Sequence, residues 1–388
     1  MTSFILRALS RVTSSGKFIT EIDGLRFIAI FGVVAFHAHN AFFPANPPVP
    51  HVGDGVKPVV SYVLHSGWFG VQLFFIISGF ILALPFAQHH LSGAPAVSLG
   101  RYLIRRLTRL EPPYLISLAV LAGLQMYVER KSLGLLLPHF AAHAVYLHNA
   151  VYGSVDSPGY VAINHVAWSL EVEVQFYLLA PLLTLVFAIR GGRWPRRVVM
   201  VGGIIAGIVI EHFWSSPMLL STLAGQFRWF LIGFLLADIY LSEWGSVPGT
   251  GTLGWDVIGT VAWLSVPFIL PHAILFEWLM PVVLLGAYMA AFRGRVLNRF
   301  FANPWIAVLG GMCYTIYLYH VALIWWVRLF LSTYVTGPER FDVLPWSLLQ
   351  LLAVCAVAAV ACVPLFLIFE KPFMRWKGFR VRGPRSGH

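Results

Sequence analysis

The chain has 388 residues, of which 58% are hydrophobic and 11% charged, with a mean hydropathy of +0.76. A soluble domain is about 25% charged, so the composition excludes a soluble globular enzyme and describes an all-α, polytopic integral membrane protein. The net charge of +11 does not read as a nucleic-acid surface, because the arginines gather between apolar runs and in the tail, as topology signals do.

Residues 1–20 form a basic segment with Arg7, Arg11 and Lys17. No small-residue cleavage site follows an apolar core there, so no removable signal peptide is expected. Apolar runs of about 20 residues, the length that crosses a bilayer as a helix, predict about ten transmembrane helices. They fall at 25–43, 68–87, 113–128, 166–189, 198–213, 218–241, 253–271, 273–292, 305–331 and 345–369. Residues 133–150 are shorter and more polar and read as an interfacial or re-entrant segment. One membrane domain thus fills 21–372. Residues 373–388 form a basic tail suited to anionic headgroups. Basic clusters follow the second, fourth, eighth and tenth runs, and with ten spans all lie on one side. The bias of Lys and Arg makes that side, and both termini, cytoplasmic. The expected setting is a bacterial cytoplasmic (inner) membrane. Cys313, Cys355 and Cys362 lie in apolar runs without a CxxC pair and read as packing residues. The sequence gives no oligomeric state, and the absence of internal repeats counts slightly against a secondary transporter.

Ionisable residues inside spans are costly and mark sites. In the first run Asp23, Arg26, Ile30, Val33 and His37 form one stripe, with Arg26 and His37 about 16 Å apart along the axis. His39 points elsewhere. His37 suits a general base. By depth, His37, Glu173 and His320 would share a layer toward the outside, with Arg228 near the middle of its span. Glu171 and Glu173 lie about 200° apart on a helix. Glu173 shares a face with Tyr177, and Glu171 with Trp168 and Gln175. Geometry does not choose between them. Arg106 and Arg109, three apart beside Arg105, project together and suit either a phosphate or topology. His139 and His143 have metal-ligand spacing, but the segment lacks the glutamate of HExxH and a nearby third ligand, so no metal is expected. Gly70, Ser78 and Gly79 read mainly as helix-packing positions. Aromatic residues reach 15% and serve as interface belts more often than as sugar platforms.

Taken in order, these segments resemble the acyltransferase-3 family of integral membrane O-acyltransferases. The blocks are "DGLRFIAIFGVVAFH", "GWFGVQLFFIISGFIL", "RRLTRLEPPY", "WSLEVEVQFYLLAP", "FRWFLIGFLLA", "LGGMCYTIYLYHVAL" and "EKP" at 370–372. The sequence departs from the family pattern at Glu111 and Val174. The resemblance implies transfer of an acyl group, usually acetyl, from acetyl-CoA to a hydroxyl. The acceptor would be a sugar of a cell-surface glycan, glycolipid or exopolysaccharide. Acyl-CoA is then a co-substrate, with no permanently bound cofactor. The implied catalytic set is His37, Glu173, Asp23 and Arg26, with coenzyme contacts from Arg105, Arg106, Arg109 and Tyr114. Trp168, Glu171, Arg228, Tyr317 and His320 would meet the acceptor. The alternative is a proton-coupled transporter or flippase for a sugar or lipid-linked substrate, with the buried charges as its relay.

Overall fold

The structure is a computed structural model that describes residues 6, 8–11, 19–42, 50, 56–154, 157, 160–214, 216–244, 251–270, 272–334 and 346–375. Most of the predicted basic N-terminal segment and tail lies outside the described residues. Among the described residues the chain is helical, with one isolated bridge between Thr252 and Gly294.

Helix α1 is Thr20–Phe42, and α2 is Val56–His65. A 3-10 turn over Ser66–Phe69 joins α2 to α3, Gly70–Ser92. The stretch between the first two predicted spans therefore holds a helix at its end. Helix α4, Leu99–Val128, spans 30 residues and takes in the whole arginine run together with Pro112 and Pro113. The predicted interfacial segment forms two short helices, α5 (Leu133–Ala144) and α6 (His148–Tyr152). Next come α7 (Ala167–Leu183), α8 (Arg193–Trp214), α9 (Leu223–Ile239) and α10 (Leu253–Ile269). The run expected at 273–292 is broken at Leu279 into α11, Ala273–Trp278, and α12, Met280–Arg293. Pro281 stands in the first turn of α12, where its missing N–H is harmless, but it could not continue the preceding helix. Helices α13 (Val296–Phe301), α14 (Pro304–Gly311), α15 (Cys313–Tyr334) and α16 (Trp346–Leu365) follow, and short helical turns lie at Pro217–Leu220 and Lys371–Arg375.

Seven stretches among the described residues are long and apolar enough to cross a membrane: 20–42, 58–92, 167–188, 193–214, 218–244, 313–331 and 352–374. The other three predicted spans differ from these for physical reasons. Helix α4 is diluted by charge in its first half. Helix α10 has 17 residues, and α12 has 14, so each is shorter than the roughly 20 that a perpendicular crossing needs.

Helix α1 sits at the centre, packed against α3, α13, α14, α15 and α16. Small residues permit this. A side chain at Gly70 would strike the carbonyl of Ala29, and one at Gly310 would strike that of Asp23. The tightest pair is α3 with α9. There Gly79 lies against the backbone of Phe230, and Gly233 against the backbone of Ile76 and Phe80. Backbones meet where Cβ atoms are absent, as membrane helix pairs require when no hydrophobic force separates protein from lipid. Gly70 and Gly79 are thus packing positions as expected, while Ser78 faces elsewhere.

Candidate active site

Asp23 lies in the first turn of α1 and is completely buried. Its carboxylate accepts from Arg11 Nε at 3.0 Å and also pairs with Arg26, one turn along the helix. A dry carboxylate is stable only when paired in this way. Asp23 holds two guanidiniums in place and is a positioning group. Beyond them opens a cavity walled by residues of α1, α3, α4, α7 and α15.

Four arginines line that cavity: Arg11, Arg26, Arg106 and Arg109. Glu173 and Glu370 line it as well. The helical course of α4 brings Arg106 and Arg109 onto one face, as their spacing predicted. Among the described residues neither has a carboxylate within ion-pair distance, whereas Arg11 and Arg26 are both engaged by Asp23. Arg106 lies 5.8 Å from the centre of the Tyr177 ring. Arg105 does not join them. It is exposed, and its Nε donates to the Arg101 carbonyl at 3.0 Å. Tyr114 is buried and stacked on Tyr146 with ring centres 5.2 Å apart, and it does not line the cavity.

From α7, Glu173 accepts from the Tyr177 hydroxyl at 2.6 Å and from the Ser78 hydroxyl. The shared helix face of Glu173 and Tyr177 is therefore as read from the sequence. Ser78 is a wall residue and a hydrogen-bond donor. Glu370, from the "EKP" block, accepts from Thr315 N at 3.0 Å and from Thr315 Oγ1 at 2.5 Å. It ties the chain after α16 to the start of α15. Cys313 also lines the cavity, while Cys362 is a buried packing residue.

The far end of α1 carries His37, with its ring centre 5.1 Å from that of His320 on α15. His320 is fully buried and His37 half-buried. His320 Nδ1 lies 3.0 Å from the Ile316 carbonyl and 2.9 Å from that of Tyr317. Carbonyls only accept, so Nδ1 carries the proton and Nε2 is a bare lone pair; this tautomer is assigned from the hydrogen-bond network. Nε2 is buried without a partner among the described residues. Tyr317, one turn before His320, lines the cavity, lies 3.1 Å from Ser169 Oγ and donates to the Val166 carbonyl. Tyr317 and Ser169 therefore lie between the arginine cavity and the histidine pair. The pairing of His37 with His320 agrees with the expected common layer. Glu173 does not share it, because Glu173 faces the arginines.

The remaining candidates lie apart from the cavity. Trp168 packs edge-on against Phe75, with ring centres 6.4 Å apart. Arg228 pairs with Glu211 and lies 4.5 Å from the Trp229 ring centre. Glu171 is fully buried on the other side of α7. It accepts from Asn149 N at 2.9 Å and lies 3.2 Å from His143 Nδ1. The spacing argument missed Arg11, Ser78, Ser169 and Cys313 as cavity residues; they come from four separate stretches. Ser78, Ser169 and Cys313, like Tyr177 and Glu370, stood in quoted blocks but carried no assigned site role.

The sequence matches the family profile described as "Acyltransferase domain" over residues 19–368. Among similar proteins is the peptidoglycan O-acetyltransferase OatA of Listeria monocytogenes, 24% identical over 341 residues, which cover 80% of this chain and 50% of that protein. Nodulation protein 10 of Rhizobium leguminosarum bv. viciae is 24% identical over 374 residues, covering 85% of this chain and 92% of that protein. The chain spans about half the length of the first curated relatives it matches. No solved structure matches it. With the profile running through every helix that builds the cavity, the chain belongs to the acyltransferase-3 family.

Proposed function

We propose that this protein is a membrane O-acyltransferase that moves an acyl group, acetyl in the first instance, from cytoplasmic acyl-CoA to a sugar hydroxyl of a surface glycan, glycolipid or exopolysaccharide. One observation carries the reading. Two arginines without carboxylate partners among the described residues open onto a cavity at one end of α1, and the other end of the same helix presents a histidine pair. Arg106 and Arg109 are the contacts for the coenzyme's phosphates, because guanidinium forks match phosphate oxygens in pairs. The pantetheine arm then runs along α1 past Ser169 and Tyr317. The rise from Arg26 to His37, about 16 Å, is the path it has to cover.

At the far end His37 takes the proton of the acceptor hydroxyl. The hydroxyl oxygen forms a bond to the thioester carbonyl carbon, the carbon–sulfur bond breaks, and the coenzyme leaves as a thiolate that is then protonated. In this reading the basic clusters face the cytoplasm, the donor cavity opens on that side, and the histidines lie toward the outside. A bacterial inner membrane and a carbohydrate acceptor fit this arrangement. The family relationship to a peptidoglycan O-acetyltransferase supports an acceptor of that kind.

The test is thermal stabilisation of the detergent-purified protein by acetyl-CoA. A ligand at 100 times its Kd adds about 2.7 kcal/mol to the native state. Stabilisation is expected in wild type and in Arg105→Ala, and is expected to be lost in Arg106→Ala at the same concentration. Folded wild-type protein that gains nothing from acetyl-CoA, or equal losses in the two variants, would refute the donor site.

A further inference from the structure

The mechanism leaves unused a second buried polar cluster, on the face of α7 that points away from the cavity. His143 at the end of α5, His148 at the start of α6 and Glu171 on α7 are all buried. Each offers one ligand atom, and the three atoms lie within 4.8 Å of one another. His143 Nδ1 lies 3.2 Å from Glu171 Oε1, within hydrogen-bond distance. Tetrahedral zinc with bonds of ~2.1 Å sets its ligands about 3.4 Å apart, and an imidazole lone pair lies in its ring plane, so a ring rotation that unstacks His143 from His148 closes the set.

Hydrogen bonding leaves part of this cluster unsatisfied. Among the described residues His143 Nε2 and His148 Nδ1 are buried without a hydrogen-bond partner. Buried polar atoms are normally satisfied, and the open nitrogen of His148 calls for a ligand. The two imidazoles are stacked parallel, with centres 3.7 Å apart. Behind them, His139 Nδ1 lies 3.0 Å from His148 Nε2. A ligating histidine commonly gives its other N–H to an outer partner that fixes the ring, and His139 stands in that place. The two ligands that join His143 are thus supplied by α6 and α7.

We propose that His143, His148 and Glu171 bind one divalent metal ion of the zinc class, with His139 as the outer group that orients His148. Two imidazoles and one carboxylate suit zinc and leave a fourth position for water. The ion clamps α5 and α6 to α7. Helix α7 carries Ser169 and Glu173 on its other side, so the clamp sets the rotation of one cavity wall. The site lies outside the proposed acyl-transfer path, and its test needs no turnover.

The full chain is purified without a histidine tag and stripped with chelator. Zn2+ is then titrated, and bound metal is counted by mass spectrometry. About one Zn2+ per chain is expected. Glu171→Gln and His148→Asn are expected to return the content to buffer level. His139→Ala keeps the ligands and is expected to weaken Zn2+ by ~10- to 100-fold. Wild-type protein that binds no zinc above buffer, or binding unchanged in Glu171→Gln and His148→Asn, overturns the proposal. Should the variants fail to fold, X-ray absorption of zinc-loaded wild type decides. Two imidazole ligands support the site, and fewer than two overturn it.

Discussion

Replacing Asp23 with Asn tests whether this carboxylate positions the arginines or takes part in chemistry. Asp23 is 0% exposed, and its partners Arg11 and Arg26 are 9% and 14% exposed, so water does little to screen the three charges. Asparagine keeps one acceptor oxygen but loses the charge that both guanidiniums face. Removing one partner of a buried ion pair costs about 3–5 kcal/mol. Counting two charged hydrogen bonds at ~1.5–3 kcal/mol each gives a similar figure. Asp23→Asn is therefore expected to lower stability by about 3–5 kcal/mol. The assay is the apparent unfolding temperature of the detergent-solubilised protein, read by fluorescence-detected gel filtration. Arg26→Gln and the double variant complete a cycle. Because the two residues touch, the double variant is expected to cost less than the sum of the singles by ~0.5–3 kcal/mol. Additive costs, or an Asp23→Asn protein as stable as wild type, would refute the positioning role. A variant with unchanged stability and unchanged donor KM but a collapsed kcat would put Asp23 in the chemistry instead.

Three further outcomes follow from the geometry. His37→Ala is expected to lower kcat by about 10²- to 10⁴-fold, the usual worth of a general base, with donor stabilisation by acetyl-CoA unchanged. His320→Asn, which alters the ring beside the base, is expected to lower kcat less than His37→Ala does; an equal or larger loss would exchange the two roles. Gly79→Ala drives a methyl into the Phe230 carbonyl and is expected to cost about 1–3 kcal/mol as overpacking. An unchanged apparent unfolding temperature would mean that α3 and α9 separate more easily than their contact implies.

The membrane class and most helix positions were legible because hydrophobic length is a local property. The stripe of Asp23, Arg26 and His37 was legible because one unbroken helix carries it. Helix α4 was misjudged in extent. The run from Leu99 to Leu110 is too charged to register as apolar, yet its propensity is helical and it joins the apolar half without a break. The interruption at Leu279 was missed because Pro281 sits inside a continuous apolar run, and hydrophobicity does not report the loss of a backbone donor. Arg105 was grouped with Arg106 and Arg109 by adjacency alone. One residue of helix turns a side chain by about 100°, enough to put Arg105 on the exposed face.

The two glutamates of α7 show where sequence reasoning stops. Their spacing forces Glu171 and Glu173 onto opposite faces, and that much was read correctly. Which face meets which partners depends on elements distant in sequence. Ser78 reaches Glu173 from α3, 95 residues away, and His143 reaches Glu171 from α5. No local pattern encodes either meeting. Each carboxylate is nonetheless bonded on its own side, so α7 is gripped from both faces and has little freedom to rotate. A helix held in that way can keep Ser169 and Glu173 aimed into a cavity whose other walls come from α1, α3, α4 and α15. Glu171, which faces away from the cavity, is therefore as much a part of the cavity's precision as Glu173, which lines it.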